Sequence, residues 1–166
     1  RNSPHQMKKM TLEDIQKFRD TLHLDIPDSK LDKYLPPYYL PAPDSPEAKY
    51  VAERRAELLL FVQEALRQGK RICAAGASTK GNVLLQYTGL DASMISAVAE
   101  INPDKFGCVT PGTKIPIVEQ ASLLSTFPDY LLVLPWHFRD FFVDGDLFKG
   151  QTLLFPLPIV EVIKNF

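Results

Sequence analysis

The stretch KRICAAGASTKGN, residues 70–82, decides how the rest of this chain is read. A basic pair, Lys70 and Arg71, leads into a short apolar run that breaks at Gly76, and an amphipathic stretch carrying Val83, Leu84, Leu85 and Tyr87 resumes after Gly81. That succession predicts a buried strand, a tight turn and a helix. In doubly wound α/β folds, small residues at such a turn let backbone N–H groups at the helix N-terminus face a phosphate. Gly76, Ala77, Ser78 and Gly81 are all small, and Lys80 adds a cation. The spacing is neither G-x-G-x-x-G nor a Walker A loop: Ala77 and Ser78 stand where a second glycine is needed, and Lys80 precedes its glycine instead of following it. Taken alone, the stretch fits an anion site at a strand-to-helix turn and, equally, a plain tight turn closed by helix caps.

Downstream, the helix that begins near Lys80 stops at Gly89, and a second apolar run over 94–99 ends in Glu100. An acidic residue at the end of a second strand is where dinucleotide folds hold a ribose hydroxyl, although a solvated loop acid has the same spacing. Turn signals follow at Asn102-Pro103-Asp104-Lys105 and at Pro111-Gly112-Thr113. Residues 115–118 read as a strand, 119–125 as a short helix, and 130–134 as the most apolar strand of all, central in a parallel sheet. It ends at Pro135-Trp136-His137-Phe138, on the Gly76 edge if the strands are parallel, and ligands of open α/β sheets sit at that edge. Residues 139–143 predict a helix; 151–155 and 159–163 predict strands.

Upstream, Thr11-Leu12-Glu13-Asp14 is a capping box opening a short amphipathic helix through Leu22. From residue 23 to 45 the chain carries Pro27, Pro36, Pro37, Pro41 and Pro43 beside Tyr34, Tyr38 and Tyr39, the composition of a linker or strap laid over a domain. Ser45-Pro46-Glu47 starts a long helix with an apolar stripe of Val51, Leu58, Leu59, Val62, Ala65 and Leu66, ended by Gly69. The division expected is an N-terminal helix and proline-rich strap, 1–45, and an α/β domain, 46–166, whose mostly parallel sheet is flanked by helices.

With 166 residues and a net charge of −1, the chain has room for one domain plus an extension and lacks the basic footprint of a nucleic-acid or anionic-membrane binder. Its 2 cysteines form no C-x-x-C pair, so no zinc site is expected, and Cys73 reads as a small buried hydrophobe. No run is long enough to span a bilayer and no signal-peptide pattern stands at the start, which makes a cytoplasmic location the default expectation. The start at Arg1 suggests a piece of something longer.

Read together, the motifs resemble the C-terminal, Rossmann-like domain of sugar C-methyltransferases, which use S-adenosylmethionine to methylate a carbon of nucleotide-linked deoxysugars. The residues that carry the resemblance are GASTKGN with LLQYTG, then INPDKFG, TPGTKIPI, PDYLLVLPW and FPLP, in that order. The resemblance implies a nucleotide-sugar-holding domain, with S-adenosylmethionine bound by a separate methyltransferase domain of the full-length enzyme, where a carbanion formed beside a sugar ketone attacks the methyl group. It implies no catalytic residue in this chain. It assigns Gly76, Ala77, Ser78, Thr79, Lys80, Gly81 and Asn82 to the phosphate-facing turn, Glu100 and Asn102 to the pentose or base, Pro111, Gly112 and Thr113 to a loop beside the site, and Trp136 and His137 to its rim. Tyr87 and Phe106 are expected to pack. The family pattern places an arginine where this chain has Ile101, so a cation near the phosphates is expected to be missing. The competing expectations are a stand-alone NAD- or coenzyme A-binding module, and a structural or homodimerising domain whose nucleotide site is unused.

Overall fold

The computed structural model describes residues 11–32 and 40–165, and the chain divides into two compact units, 1–45 and 46–166. In the first unit, helix α1 (Leu12–Thr21) opens with the expected capping box: Thr11 Oγ1 accepts from the Asp14 N–H at 3.1 Å, while Asp14 Oδ2 accepts from the Thr11 N–H at 2.9 Å. These reciprocal bonds satisfy two donors that the first helical turn leaves without partners. The Arg19 guanidinium then folds the following loop back, donating to the Ile26 carbonyl at 2.8 Å and pairing with Asp20 and Asp28. Part of the proline-tyrosine strap, residues 33–39, lies outside the described residues.

The second unit is built on six strands, β1 (Ile72–Ala75), β2 (Val98–Glu100), β3 (Ile117–Glu119), β4 (Tyr130–Val133), β5 (Gln151–Phe155) and β6 (Glu161–Asn165), in the order β3-β2-β1-β4-β5-β6. The first five run parallel and β6 returns antiparallel against β5. The sheet is thus the Rossmann-like, mostly parallel one expected, with the reversal of strand order falling at β1. Helices α2 (Pro46–Arg67), α3 (Thr79–Thr88), α4 (Gln120–Leu124) and α5 (Arg139–Asp144) supply the layers.

Strand alternation explains the two cores. Ile72 and Ala74 face one cluster with Val98, Leu132 and Leu154, covered by Leu58, Val62 and Ala65 of α2 and Leu85 of α3. Cys73 and Ala75 face the other with Leu131, Val133, Leu153 and Phe155, covered by Leu123 and Leu124 of α4, by Phe142 of α5, and by Phe148. Because both faces are covered, β1 and β4 read as continuous apolar runs, and each fully buried leucine of β4 contributes about 1.5–3 kcal/mol. Cys73 is buried as expected, and that burial raises its thiol pKa. Val51, assigned to the α2 stripe, is 43% exposed; the buried stretch of the helix begins at Leu58. The second strand is shorter than the apolar run that announced it, because Ile95 is buried in the turn before β2 instead of pairing within it.

Candidate functional site

Parallel strands bring three chain ends to one edge of the sheet: the turn after β1, the end of β2 and the turn after β4. At the first, Gly76 takes φ of +88°, and its N–H donates to the Ala99 carbonyl at 2.9 Å. A Cβ on Gly76 would sit 2.8 Å from Pro135 Cδ, and one on Gly81 2.9 Å from Leu134 Cβ. Both glycines therefore let the turn and helix α3 close onto the segment that follows β4. Ser78 is the N-cap of α3, its Oγ accepting from the Gly81 N–H at 3.2 Å. The N–H groups of Thr79 and Lys80 come first in that helix, which supplies them no acceptor, and both residues are exposed. Asn82 Oδ1 is buried and has no hydrogen-bond partner among the described residues.

At the end of β2, Glu100 is 8% exposed and closely held. Its Oε1 accepts from the N–H groups of Ile101 at 2.8 Å and Asn102 at 3.1 Å, and its Oε2 accepts from Lys105 Nζ at 2.9 Å. The same ammonium donates to the Ala77 carbonyl at 2.9 Å, joining the β2 end to the β1 turn. Burial pushes the Glu100 carboxyl pKa up, but the Lys105 ammonium and the N–H groups of Asn102 and Ile101 outweigh it and hold the group below its ordinary value. Asn102 serves the same arrangement from below: its Oδ1 accepts from the Asp104 N–H at 3.1 Å and caps the 3₁₀ turn Pro103–Lys105. That turn carries Lys105 back toward the strand end.

Beside Ile101, which stands where the family pattern has an arginine, this corner carries the Lys105 ammonium, named from the sequence only as part of a turn and motif and here paired with Glu100. Its signal was the N-P-D turn, since a capped turn reverses the chain and returns the fifth residue after Glu100 to the edge it left. Pro111, Gly112 and Thr113, expected beside the site, lie instead at the opposite edge. The segment leaving β2 doubles back antiparallel along its own continuation, with a bridge between Val109 and Pro116. Its tip therefore reaches the edge where the strands begin: the Thr113 carbonyl accepts from the Ala92 N–H at 3.2 Å, in the connection that leads into β2. Gln86 Nε2 binds the Pro111 carbonyl at 2.9 Å, and the Thr113 and Thr110 hydroxyls pair at 2.7 Å in a buried site.

At the end of β4, Trp136 and His137 form a 3₁₀ turn on the Gly76 edge. Trp136 packs edge-on to His137, ring centroids 5.9 Å apart, and His137 lies 4.3 Å from the Phe138 ring. Tyr87, expected to pack, is half exposed with the Arg55 guanidinium 5.7 Å from its ring centre. Between the ends of β2 and β3 opens a cavity of about 380 Å³ lined by Glu100, Ile101, Pro103, Phe106, Glu119, Gln120 and Ala121. Phe106, assigned to packing, is thus part of a cavity wall. Among the described residues no cluster of three metal-ligating side chains occurs, and no helix is long and apolar enough to cross a membrane.

Comparison with known proteins adds two kinds of relative. The chain is 31% identical over 113 residues to the C-methyltransferase NovU of Streptomyces niveus, covering 66% of this chain and 27% of that enzyme. It is also 44% identical over 81 residues to the pyruvate dehydrogenase E1 component of Mycolicibacterium smegmatis, 48% of this chain and 9% of that protein, and 57% identical over 66 residues to its counterpart in Corynebacterium glutamicum, 39% and 7%. The chain spans less than a tenth of these E1 components, a similarity that its motifs had not suggested. The model of the C-methyltransferase C-terminal domain matches residues 47–158, which takes in the strand-to-helix turn, the Glu100–Lys105 corner and the Pro135–His137 rim. The chain belongs to the C-methyltransferase C-terminal domain family.

Proposed function

We propose that this chain supplies the nucleotide-sugar-holding domain of an S-adenosylmethionine-dependent sugar C-methyltransferase. The observation that carries the reading is the link from Glu100 through Lys105 to the Ala77 carbonyl, beside the exposed start of α3. In dinucleotide folds the acid at this position reads a ribose hydroxyl. Here three donors already occupy Glu100, one of them the Lys105 ammonium that its charge compensates, and the corner offers Lys80 and the first N–H groups of α3 in its place. The Lys80 ammonium and free helical N–H donors suit a diphosphate, through charge-assisted bonds and the positive end of the helix dipole. A deoxyribose, which lacks the 2′-hydroxyl, loses nothing by the engagement of Glu100; the ribose of NAD does.

The same donor set does not fit S-adenosylmethionine. That cofactor carries a sulfonium cation and no phosphate, and it presents ribose hydroxyls that need a free carboxylate. We therefore assign methyl transfer to parts of the enzyme outside this chain, whose role is to seat and orient the nucleotide end of the substrate.

Calorimetric titration of the chain with deoxythymidine diphosphate, NAD, coenzyme A and S-adenosylmethionine tests this reading. Deoxythymidine diphosphate is expected to bind best, and Lys80→Ala to weaken it by about 1.5–3 kcal/mol, the worth of a charge-assisted hydrogen bond. Preference for NAD or coenzyme A would make the domain a different nucleotide module. Silence toward all four ligands would leave it a docking or dimerising piece.

A further inference from the structure

The cavity between the ends of β2 and β3 shares Glu100 with the phosphate corner, and the rest of its lining is chemically unlike that corner. One side is apolar: Ile101, Pro103 and Phe106. Ile101 is 75% exposed, at a strand end where no packing demand of the fold calls for an apolar side chain. The rest of the lining is Glu119, Gln120 and Ala121 at the end of β3, with Glu100. Glu100 is neutralised by Lys105, whereas Glu119 is exposed and held by the Ser122 hydroxyl at 2.5 Å. The uncompensated charge of the cavity is therefore negative. A phosphate is disfavoured there, while a flat, neutral ring with N–H donors on its edge is matched by apolar walls and by carboxylate and amide acceptors.

Position points to the same ligand. Neighbouring strands lie about 4.8 Å apart, so a cavity between β2 and β3 is displaced by roughly 7 Å from the β1 turn. A nucleotide with its diphosphate at the start of α3 crosses the end of β2 with its pentose and reaches this cavity with its base. We infer that the cavity lined by Ile101, Phe106 and Glu119 is the nucleobase seat, with the ring lying on Ile101 and Phe106 and its N–H edge toward Glu119 and Gln120. The inference rests on the nucleotide-holding function proposed above and adds to it the half of the ligand that the turn does not touch.

The test compares deoxythymidine diphosphate with inorganic pyrophosphate, which has the charge and no base, on the intact chain. The wild type is expected to bind the nucleotide at least about tenfold more tightly than pyrophosphate, since stacking a base on side chains is worth about 1–3 kcal/mol. Ile101→Ser with Phe106→Ala is expected to remove about tenfold from nucleotide affinity and nothing from pyrophosphate affinity. Where the double variant does not fold, Ile101→Ser alone serves, its side chain being solvent-exposed. In the wild type, the Ile101 methyl resonances are expected to shift with the nucleotide, through the ring current of the base, and to stay in place with pyrophosphate. Nucleotide affinity that survives both substitutions, with unmoved Ile101 methyls, overturns the base seat and leaves the proposed function standing. Equal affinity for the two probes also overturns it, while keeping an anion seat. Binding of neither probe overturns the proposed function, and the base seat with it.

Discussion

Two loops of this chain are written in nearly the same vocabulary, GASTKG at 76–81 and PGTKIP at 111–116, and they end on opposite edges of one sheet. Each combines glycine, threonine and lysine, and each has a glycine with positive φ, Gly76 at +88° and Gly112 at +76°. The first joins a strand to a helix, so its N–H groups emerge at the edge where the parallel strands end. The second is the tip of a segment that doubles back beside β2, and its threonines are turned inward to pair with each other. The difference teaches that loop composition specifies a tight turn, while the direction of the strand it serves decides which edge of the sheet that turn reaches.

The sharpest contrast lies in the glycines. Gly76→Ala combines a disfavoured backbone with a Cβ 2.8 Å from the Pro135 ring, and we expect a loss of about 2–4 kcal/mol in urea unfolding. In the second loop, Thr110→Val strands the Ile115 N–H, which Thr110 Oγ1 accepts at 2.9 Å, together with the Thr113 hydroxyl; a loss of about 1–3 kcal/mol is expected, with nucleotide affinity unchanged. Gly112→Ala meets only the flexible end of Gln86, 3.1 Å away, and the same unfolding experiment should record about 1–2 kcal/mol, mostly from the backbone. Equal losses for Gly76→Ala and Gly112→Ala would erase the distinction between a turn packed against its neighbour and one at a loop tip.

Acid should act on the first edge in particular. The Glu100 carboxyl is held below its ordinary value in the folded chain, so its contribution is present above the unfolded value near 4.5 and is lost as pH falls through the folded one. In Glu100→Gln, the urea midpoint should therefore drop less steeply between neutral pH and about pH 3 than in the wild type, and identical slopes would remove the Glu100–Lys105 pair from the stability of this edge. The smallest expected effect on stability is that of Lys80→Ala, within about 0.5 kcal/mol because the side chain is exposed, so any change in diphosphate affinity reports on binding alone.

Much of the fold was legible because its strands are buried on both faces. The runs 72–75, 130–133 and 153–155 are apolar without alternation, which is how a central parallel strand looks, and Gly69 and Gly89 closed the helices where expected. The strand-to-helix turn was legible for a similar reason, since a strand, small residues and a helix N-cap follow one another in sequence. Lys105 was harder to see, because its meaning depends on a 3₁₀ turn returning it to a carboxylate five residues earlier. The Pro111–Thr113 loop was misplaced because a turn motif records curvature and carries no sign of which edge it reaches. The cavity wall was missed as well: Phe106 looks like a packing residue until β3 is set beside β2.

The linear order of residues thus determined by itself the succession of strands and helices, that the sheet is mostly parallel, and that a helix follows a tight turn near Ser78. Those features arise from burial patterns and bonds between residues close in sequence, and each element carries its own signal. Tertiary structure alone decided that Lys105 rather than Ile101 supplies the cation beside Glu100, that Pro135 and Leu134 demand glycine at 76 and 81, and that Ile101, Phe106 and Glu119 share a cavity. All three depend on which strands are neighbours and which way they run, and the lateral hydrogen bonds that settle this join residues up to about 60 positions apart, such as Ile72 and Tyr130.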